Sequence, residues 1–450
     1  MITKLKNKLS KDKHLKELIK GSSSAFLLKI IGMSLSYISL LYITNKYGAN
    51  VFGVLTLSIT ILSIFTLIPS FGMANALVKI IGELYSHKKY SEIKYILKII
   101  FLLTTFLSAL FIFLFYVSSD FIAKEILDKI YMSKYLKIIT ISVLFNTMIV
   151  IVSSTFQGMK KTKKFMIFQT LLLQFIFLLL LILNNNVINY NYNVVELYVA
   201  STVFSAVIAL IYLYINVNSL NDISNNKIRK YNLTKILKLS VPMLLGSSFT
   251  MIMGWTDIVM LGIYKTEEDV GIYSAVLRIA GLISISLTAI NAIATPKFIE
   301  FYSKKDMIGL EKIVKQSTKI IFFTSLPIVI IYIVFPSVVM NLFGSEFIIG
   351  ASVLVIISLG QFINAMSGSV GYILQMTDNQ KIFQNIIILA SIINVILNYM
   401  LIPIYGMDGA AVASTISMMF WNLAFIYYIK KKLNFWTFYI PNFKIKRKNK

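Results

Sequence analysis

The stretch IIFLLTTFLSALFIFLFYVS at residues 99–118 contains no charged side chain. An α-helix of this length spans roughly 30 Å, the thickness of the hydrocarbon core of a bilayer. A helix also satisfies all of its backbone hydrogen bonds internally, which lipid requires. The stretch therefore predicts a membrane-spanning helix.

Comparable apolar runs continue through the whole chain. Hydrophobic residues make up 57% of it and charged residues only 14%, the reverse of the balance that solvates a soluble domain. The predicted fold class is an all-α polytopic membrane protein with about twelve transmembrane helices in two parallel six-helix repeats. The predicted spans are 22–44, 53–78, 99–118, 137–157, 165–184, 195–217, 239–263, 270–296, 320–343, 347–374, 382–404 and 408–429.

The positions of Lys and Arg predict the orientation of these spans. Of the 44 such residues, 36 lie in the N-terminal arm, in the loops after even-numbered spans or in the C-terminal tail, and cationic loops stay on the cytoplasmic side. We therefore expect a bacterial cytoplasmic membrane protein with both termini in the cytoplasm. The net charge of +25 then indicates contact with anionic membrane lipids rather than nucleic acid. Cysteine is absent, and we expect no metal and no cofactor.

The two halves of the chain repeat each other. Residues 218 positions apart match repeatedly, among them Gly53 with Gly271 and Gln157 with Gln375. A parallel repeat of six spans is a common plan of alternating-access transporters, with the site between the halves. The alternative is a duplicated structural or enzymatic membrane protein. The predicted divisions are a basic arm at 1–20, bundles at 21–217 and 239–430, a linker at 218–238 and a basic tail at 431–450.

Two ionisable residues lie deep in predicted spans, where each costs roughly 2.5–3.5 kcal/mol to insert. Asp257 and Arg278 sit at similar depth on spans seven and eight, so they could form an ion pair that only holds the helices together. The face of span eight that carries Arg278 also carries Ser274 and Thr288, and the matching face of span two carries Thr60. Small residues suit either close helix packing or a cavity. The large cation favours a cavity between these spans.

Further candidates lie nearer the ends of the spans. Lys29 in span one either lines the cavity or extends to the interface. Lys79, Lys297, Glu300 and Asn75 lie near the cytoplasmic ends of spans two and eight, where they form either a cavity mouth or a solvated rim. The predicted cavity is thus cationic. Because the planar guanidinium of Arg binds phosphate through two parallel hydrogen bonds, it favours an anionic, phosphate-bearing substrate.

Several motifs of energy conversion and catalysis are missing from the sequence. No G-x-x-x-x-G-K-[ST] phosphate loop occurs, so hydrolysis of nucleotide by this chain is not expected to drive it. The longest predicted external loop, 119–135, is too short for a catalytic domain. We therefore expect a transporter rather than an enzyme, with a membrane glycan polymerase or ligase as the alternative from another class. A scaffold without transport is a further alternative.

Four motifs resemble the Wzx-type flippases, in the polysaccharide-transport branch of the superfamily that contains MATE exporters and MurJ. They are FGMANALVK at 71–79, FQGMKK at 156–161, WTDIVMLGIYKTEEDVGIYSAVLRIAGL at 255–282 and YGMDGAAVAST at 405–415. The resemblance covers residues 20–430. It implies two six-helix bundles in a V around a central cavity.

The resemblance also implies a function. Members of this family flip undecaprenyl-pyrophosphate-linked oligosaccharides to the outer leaflet for O-antigen, capsule or exopolysaccharide, and polysaccharide polymerases are expected partners. Arg278 and Lys29 would hold the pyrophosphate, and Asp257 would serve ion coupling or gating. Span one lacks an acidic residue, which departs from MATE exporters. The chain has twelve predicted spans rather than fourteen, which departs from MurJ. An ion-coupled, MATE-like exporter of small molecules is the alternative within transport.

Overall fold

The computed structural model describes residues 13–70, 73–186, 193–220 and 233–438, and these ranges contain helices and turns but no strand. The chain divides into two compact units. The N-terminal unit comprises residues 1–47 and 54–248, and the C-terminal unit comprises residues 48–53 and 249–450. Residues 1–12, 221–232 and 439–450 lie outside the described ranges, so the predicted boundaries of the arm, linker and tail stay predictions.

Within the described ranges, the first half of the chain forms eight helices. A π-helical turn at Ile122–Ile126 extends the third, and another at Ile167–Leu171 joins the sixth to the seventh. The core of the N-terminal unit is aliphatic and aromatic, with Leu77, Ile96 and Phe156 fully buried. The helices are α1 Lys13–Ser70, α2 Met73–Ser86, α3 Tyr90–Phe121, α4 Met132–Ile139, α5 Ser142–Gly158, α6 Thr162–Met166, α7 Leu172–Asn186 and α8 Val194–Asn218.

The second half forms eight more helices. Short 3-10 turns at Gly281–Ser284 and Ser345–Gly350 connect some of them. Phe298, Leu310 and Ile373 are fully buried in the core of the C-terminal unit. The helices are α9 Leu233–Tyr264, α10 Glu267–Ala280, α11 Ile285–Ser303, α12 Met307–Val334, α13 Pro336–Asn341, α14 Ala351–Ser367, α15 Val370–Met376 and α16 Gln380–Leu433.

The described helices confirm an all-α polytopic membrane fold. Nine helical segments within the described ranges are long and apolar enough to cross a bilayer. Two of them, in α1 and α16, change direction at Gly48 (φ 82°) and Gly406 (φ 57°), conformations that glycine adopts without steric cost. Each of these two segments is long enough for two crossings, and Met251–Tyr264 is a shorter apolar helix in the region of predicted span seven. The structure is thus consistent with twelve crossings.

Several predicted spans are interrupted. In predicted span two, residues 71–72 between α1 and α2 lie outside the described ranges. Predicted span eight contains the 3-10 turn between α10 and α11, and predicted span ten stops at Gly368, whose φ is 74°. The lengths of apolar runs predict crossings but carry no information on local breaks in backbone hydrogen bonding, which explains these differences.

The duplication is visible in the turns that follow four helices. Lys88 and Lys160 in the first half, and Lys305 and Asp378 in the second, have φ between 56° and 60°. In each turn the next residue donates its N–H to a carbonyl five residues earlier, at 2.9–3.0 Å. This is the Schellman motif, which satisfies the last carbonyls of a helix. The same turn therefore recurs after α2 and α5 in one half and after α11 and α15 in the other.

Candidate functional site

A cavity of about 550 Å³ lies within the C-terminal unit, and helices α9, α10, α11, α14, α15 and α16 all contribute to its wall. Among the described residues that line it, one carboxylate, Asp257, stands beside amides and hydroxyls, and none is Lys or Arg. The amide side chains are Asn291, Gln361, Asn364, Gln375 and Asn422, and the aromatic ones are Tyr372, Phe383, Trp421 and Phe425.

Asp257 is 3% exposed and accepts hydrogen bonds from neutral groups on two other helices. Tyr273 on α10 donates to Oδ2 at 2.7 Å, and Ser414 on α16 donates to the same oxygen. Asn398 donates to Oδ1 at 2.7 Å, and Asn394 approaches that oxygen at 3.5 Å. A buried charge needs hydrogen-bond donors. By accepting bonds from α10 and α16, the carboxylate links these helices to α9.

Local features of the sequence bring these donors together. Asn394 and Asn398 are four residues apart, so they project from one face of α16. The bend at Gly406 returns the second part of α16 along the first, and Ser414 therefore reaches the same carboxylate. On α10, Thr266 forms a capping box with Asp269, which sets where the helix begins.

The amides beside Asp257 retain unused acceptors. The Oδ1 atoms of Asn394 and Asn398 are buried and have no hydrogen-bond partner among the described residues. A carboxylate with neighbouring amide oxygens is the type of donor set that hard cations prefer, and a carboxylate can also carry a proton. The role predicted for Asp257 in ion coupling or gating stays a prediction.

The suggested ion pair between Asp257 and Arg278 is not among the contacts of the described residues. The bonds to Asp257 come from hydroxyl and amide groups, and the guanidinium carbon of Arg278 lies 5.3 Å from the centre of the Phe52 ring. Arg278 is half-buried and does not line the cavity, although Leu277 beside it does. The cavity of the C-terminal unit thus differs from the cationic cavity that the sequence predicts.

The faces of small residues pack closely at one point. Gly53 and Gly271, the repeat-related pair, lie against each other, and a Cβ on Gly53 would come within 1.7 Å of the carbonyl oxygen of Glu267. The same face was predicted to line a cavity, so at these two glycines the alternative of close packing is correct. Both residues belong to the C-terminal unit.

The polar residues of the two predicted cavity faces differ in exposure. Thr60 is buried and donates to the carbonyl of Thr56, one turn earlier in its own helix, at 2.8 Å. Ser274 is buried, and its hydroxyl has no partner among the described residues. Thr288 is exposed and donates to the carbonyl of Ile285. None of the three lines the cavity of the C-terminal unit, so their roles in substrate binding stay predictions.

The remaining predicted residues lie on exposed surfaces. Lys29, Lys79 and Lys297 are exposed, and Glu300 pairs with Lys304 one turn later at 2.6 Å. Such an exposed pair contributes little to stability. The side chain of Asn75 lies outside the described part of the chain. The assignment of Lys79, Lys297, Glu300 and Asn75 to a cavity mouth stays a prediction.

The charge-based interpretation missed the amides. Asn394 and Asn398 stand four residues apart in an otherwise apolar span, and Gln361 and Asn364 stand three apart in another. The available signal was the helical spacing of uncharged polar residues within a membrane span, because each such residue needs a hydrogen-bond partner there. The aromatic residues gave no comparable signal, because aromatic residues are common throughout the chain.

Known proteins resemble this chain over most of its length. The family described as Polysaccharide biosynthesis protein matches residues 18–302, and the MatE family matches residues 242–400. The chain is 27% identical over 181 residues to a probable low-salt glycan biosynthesis flippase, Agl15, of Haloferax volcanii, covering 40% of this chain and 38% of that protein. It is 23% identical over 209 residues to the capsular polysaccharide biosynthesis protein CapF of Staphylococcus aureus, covering 46% and 52%. The match with Agl15 thus spans about two fifths of that relative's length.

Solved structures share the whole architecture. An inward-facing multidrug resistance MATE transporter superimposes with a TM-score of 0.73 at 13% identity, covering 91% of this chain and 98% of that one. The lipid II flippase MurJ, in an inward closed conformation, superimposes with a TM-score of 0.68 at 17% identity, covering 92% and 87%. At these identities the likeness concerns the fold, which is that of transporters rather than of membrane enzymes. With more than half of its length matched by the family, the chain belongs to the polysaccharide biosynthesis proteins and has the fold of the MurJ and MATE transporters.

Proposed function

We propose that this protein flips undecaprenyl-pyrophosphate-linked oligosaccharide repeat units from the inner to the outer leaflet of a bacterial cytoplasmic membrane. The cycle is alternating access, and the product feeds the synthesis of a cell-surface polysaccharide. The observation that carries the proposal is a cavity of about 550 Å³, lined by apolar side chains and by several amides and hydroxyls, within a membrane-embedded helical unit of a polysaccharide biosynthesis protein. A cavity with hydrogen-bonding groups at membrane depth suits a hydrophilic head group, whose passage through lipid is otherwise blocked. A polysaccharide polymerase is the proposed partner that uses the product.

Arg278 and Asp257 have separate proposed roles. The guanidinium of Arg278 lies outside the cavity wall and binds the pyrophosphate, for which its planar geometry is suited. Asp257, in its cluster of neutral donors, is the coupling residue, which exchanges a proton or a cation during the cycle. Lys29 provides a second cation for the pyrophosphate.

Cells depleted of this protein provide the test of the function. A membrane-impermeant reagent that modifies glycans distinguishes lipid-linked repeat units in the two leaflets. We expect complete repeat units to accumulate in the protected, inner leaflet. Reagent-accessible single repeat units in the outer leaflet would contradict the proposal, because flipping would then be intact and polymerisation impaired.

Substitutions test the two roles in the same assay, at matched protein levels. Arg278→Ala is expected to leave repeat units on the inner side. Loss with Arg278→Lys as well would indicate recognition through two hydrogen bonds rather than through charge alone. Asp257→Asn is expected to abolish the dependence of flipping on an ion gradient while substrate binding persists. Normal glycan display by Arg278→Ala would rule out its assigned role.

One observation favours a second candidate, an ion-coupled exporter of small molecules. The MatE family matches residues 242–400, and the carboxylate of Asp257 lies at the cavity to which this region contributes most of the lining residues. An exporter predicts normal surface glycan in depleted cells together with increased retention of a small molecule. The leaflet assay therefore separates the two functions.

A further inference from the structure

The polar wall of the C-terminal cavity offers hydrogen-bonding groups that the protein leaves unused. Asn364 is half-buried, and its amide makes no hydrogen bond within the described residues. Gln361 accepts from Ser284 at 2.5 Å through Oε1, which directs its NH₂ group elsewhere. Gln375 donates to the carbonyl of Gly371 at 3.2 Å, which leaves its Oε1 without a partner there. Three half-buried amides thus present both donors and acceptors.

Deeper in the same wall, three polar atoms are buried without partners among the described residues. They are Oδ1 of Asn291, Oδ1 of Asn422 and the hydroxyl of Ser369. Asn291 is 6% exposed and Asn422 is fully buried. A buried polar group that lacks a hydrogen bond is costly, and a ligand or water that enters the wall relieves this cost. Both the half-buried amides and these three buried atoms therefore leave hydrogen-bonding groups of the cavity wall without partners among the described residues.

The described wall of the cavity offers a ligand little charge. No Lys or Arg is among the described residues that line it, so these residues give a pyrophosphate no cation. Their one carboxylate, Asp257, is 3% exposed and accepts hydrogen bonds from hydroxyl and amide donors. An organic cation in the cavity would therefore have little direct contact with it, whereas the proton or small cation of the proposed coupling step would exchange at the buried cluster itself. The wall favours an uncharged, polar ligand.

Aromatic rings complete the wall. Trp421 is half-buried at the cavity, and Phe383 stacks on Phe425 with ring centres 5.3 Å apart. A sugar ring combines hydroxyls, each of them both donor and acceptor, with apolar C–H faces that pack on an indole. The volume of about 550 Å³ lies within the roughly 300–1,000 Å³ of small-molecule sites, which likewise combine apolar walls with a few polar groups.

We propose that the C-terminal cavity binds the glycan part of the lipid-linked substrate. The amides of Gln361, Asn364 and Gln375 bond to sugar hydroxyls, and Trp421 packs against a sugar face. The pyrophosphate stays outside this cavity. The inference rests on the proposed flippase function and adds to it a site for the uncharged part of the substrate.

Binding of two lipids to the purified full-length protein tests this site. One probe is bare undecaprenyl pyrophosphate, and the other is the lipid-linked glycan extracted from cells depleted of this protein. We expect the wild type to bind the glycan-bearing lipid more tightly. Asn364→Ala and Trp421→Leu should each weaken that binding by about threefold to tenfold, the effect of one hydrogen bond or one aromatic contact, and leave binding of the bare lipid unchanged.

Matched controls lie in the same unit but away from the cavity. Asn341 and Trp436 are exposed, and Asn341→Ala and Trp436→Leu should bind both lipids as the wild type does. Thermal unfolding of Asn364→Ala at the wild-type temperature shows that the cavity variant is folded.

Each other outcome has a defined meaning. Equal affinity of the wild type for the two lipids, or unchanged glycan binding in both cavity variants, would overturn the glycan site and leave the flippase function standing. An equal loss of affinity for both lipids in folded variants would also overturn the glycan site, because the cavity would then recognise the lipid or pyrophosphate that both probes share. Failure of the wild type to bind either lipid would instead count against the flippase function itself.

Discussion

The contact between Gly53 and Gly271 provides a severe test of the helix packing in the C-terminal unit. A Cβ added to Gly53 would lie 1.7 Å from the carbonyl oxygen of Glu267, and one added to Gly271 would lie 2.2 Å from that of Ala49. Cβ atoms essentially never approach other atoms closer than 3.0 Å. In both cases the obstructing atom belongs to the backbone and cannot rotate away, so the backbones must separate by about 1.3 Å for Gly53 and about 0.8 Å for Gly271.

The size of the effect follows from this displacement. Overpacking of a close contact costs typically about 1–3 kcal/mol, and a clash between two backbones lies at the upper end. For a unit of about 200 residues, 3 kcal/mol lowers the unfolding temperature by roughly 6–12 °C. We expect Gly53→Ala and Gly271→Ala each to have an effect of this order. The double variant should cost less than the sum, because both substitutions force apart the same pair of helices.

Thermal unfolding of the purified protein in detergent measures this loss. Gly281→Ala is the control, since no atom lies within 4 Å of a Cβ placed there, and it should unfold at the wild-type temperature or slightly above it. Unfolding of Gly53→Ala at the wild-type temperature would refute the close contact. Equal destabilisation by Gly281→Ala would refute the steric explanation.

Three further predictions use the same unfolding assay. Burial and the charge of Lys164 lower the pKa of Lys161, so its charged form is disfavoured in the folded state and Lys161→Gln should leave stability at pH 7 unchanged or higher. By contrast, Lys164→Gln should lower the free energy of unfolding by about 1–2 kcal/mol, because it loses a 2.7 Å hydrogen bond to Asn216 and a cation–π contact. A larger loss of stability in Lys161→Gln than in Lys164→Gln would contradict both predictions. Asp378→Gly should stabilise the protein by about 0.5–1 kcal/mol, since φ is 60° there, and a loss of stability would speak against that turn. Glu346→Ala should cost about 1 kcal/mol, because Oε1 of Glu346 accepts from the N–H of Ala49 at 2.6 Å where the second part of α1 begins; an unchanged unfolding temperature would exclude this cap.

In the proposed function, the glycan and the pyrophosphate bind at different places. The described cavity wall is rich in amides and carries a single, buried carboxylate, whereas Arg278 lies outside it against Phe52. Amides discriminate weakly among sugars, because the hydroxyls of many sugars can bond to the same amides. This arrangement would give the proposed flippase an affinity for the pyrophosphate that is common to all such lipids and a tolerance for different glycans.

The amino-acid sequence alone indicates that the chain crosses a membrane many times and that its halves are related. The crossings follow from long apolar helices, since in lipid every backbone group must bond within its own helix and the length of each apolar run suffices to predict a crossing. The duplication was likewise readable, because matching residues recur at a constant separation. The sequence also predicts that Asp257 is a candidate functional residue, because an acidic residue is costly to insert into a membrane span.

Only the tertiary structure decided which residues surround Asp257 and what the small faces do. Tyr273, Asn398 and Ser414 come from separate parts of the chain, and their convergence depends on the bend at Gly406. Charge alone suggested Arg278 as the partner, yet neutral donors supply the hydrogen bonds. Whether a small residue marks a cavity or a close contact depends on the distance between two backbones, which no single helix encodes. That distance is a property of the packed pair, and Gly53 against Gly271 shows its effect.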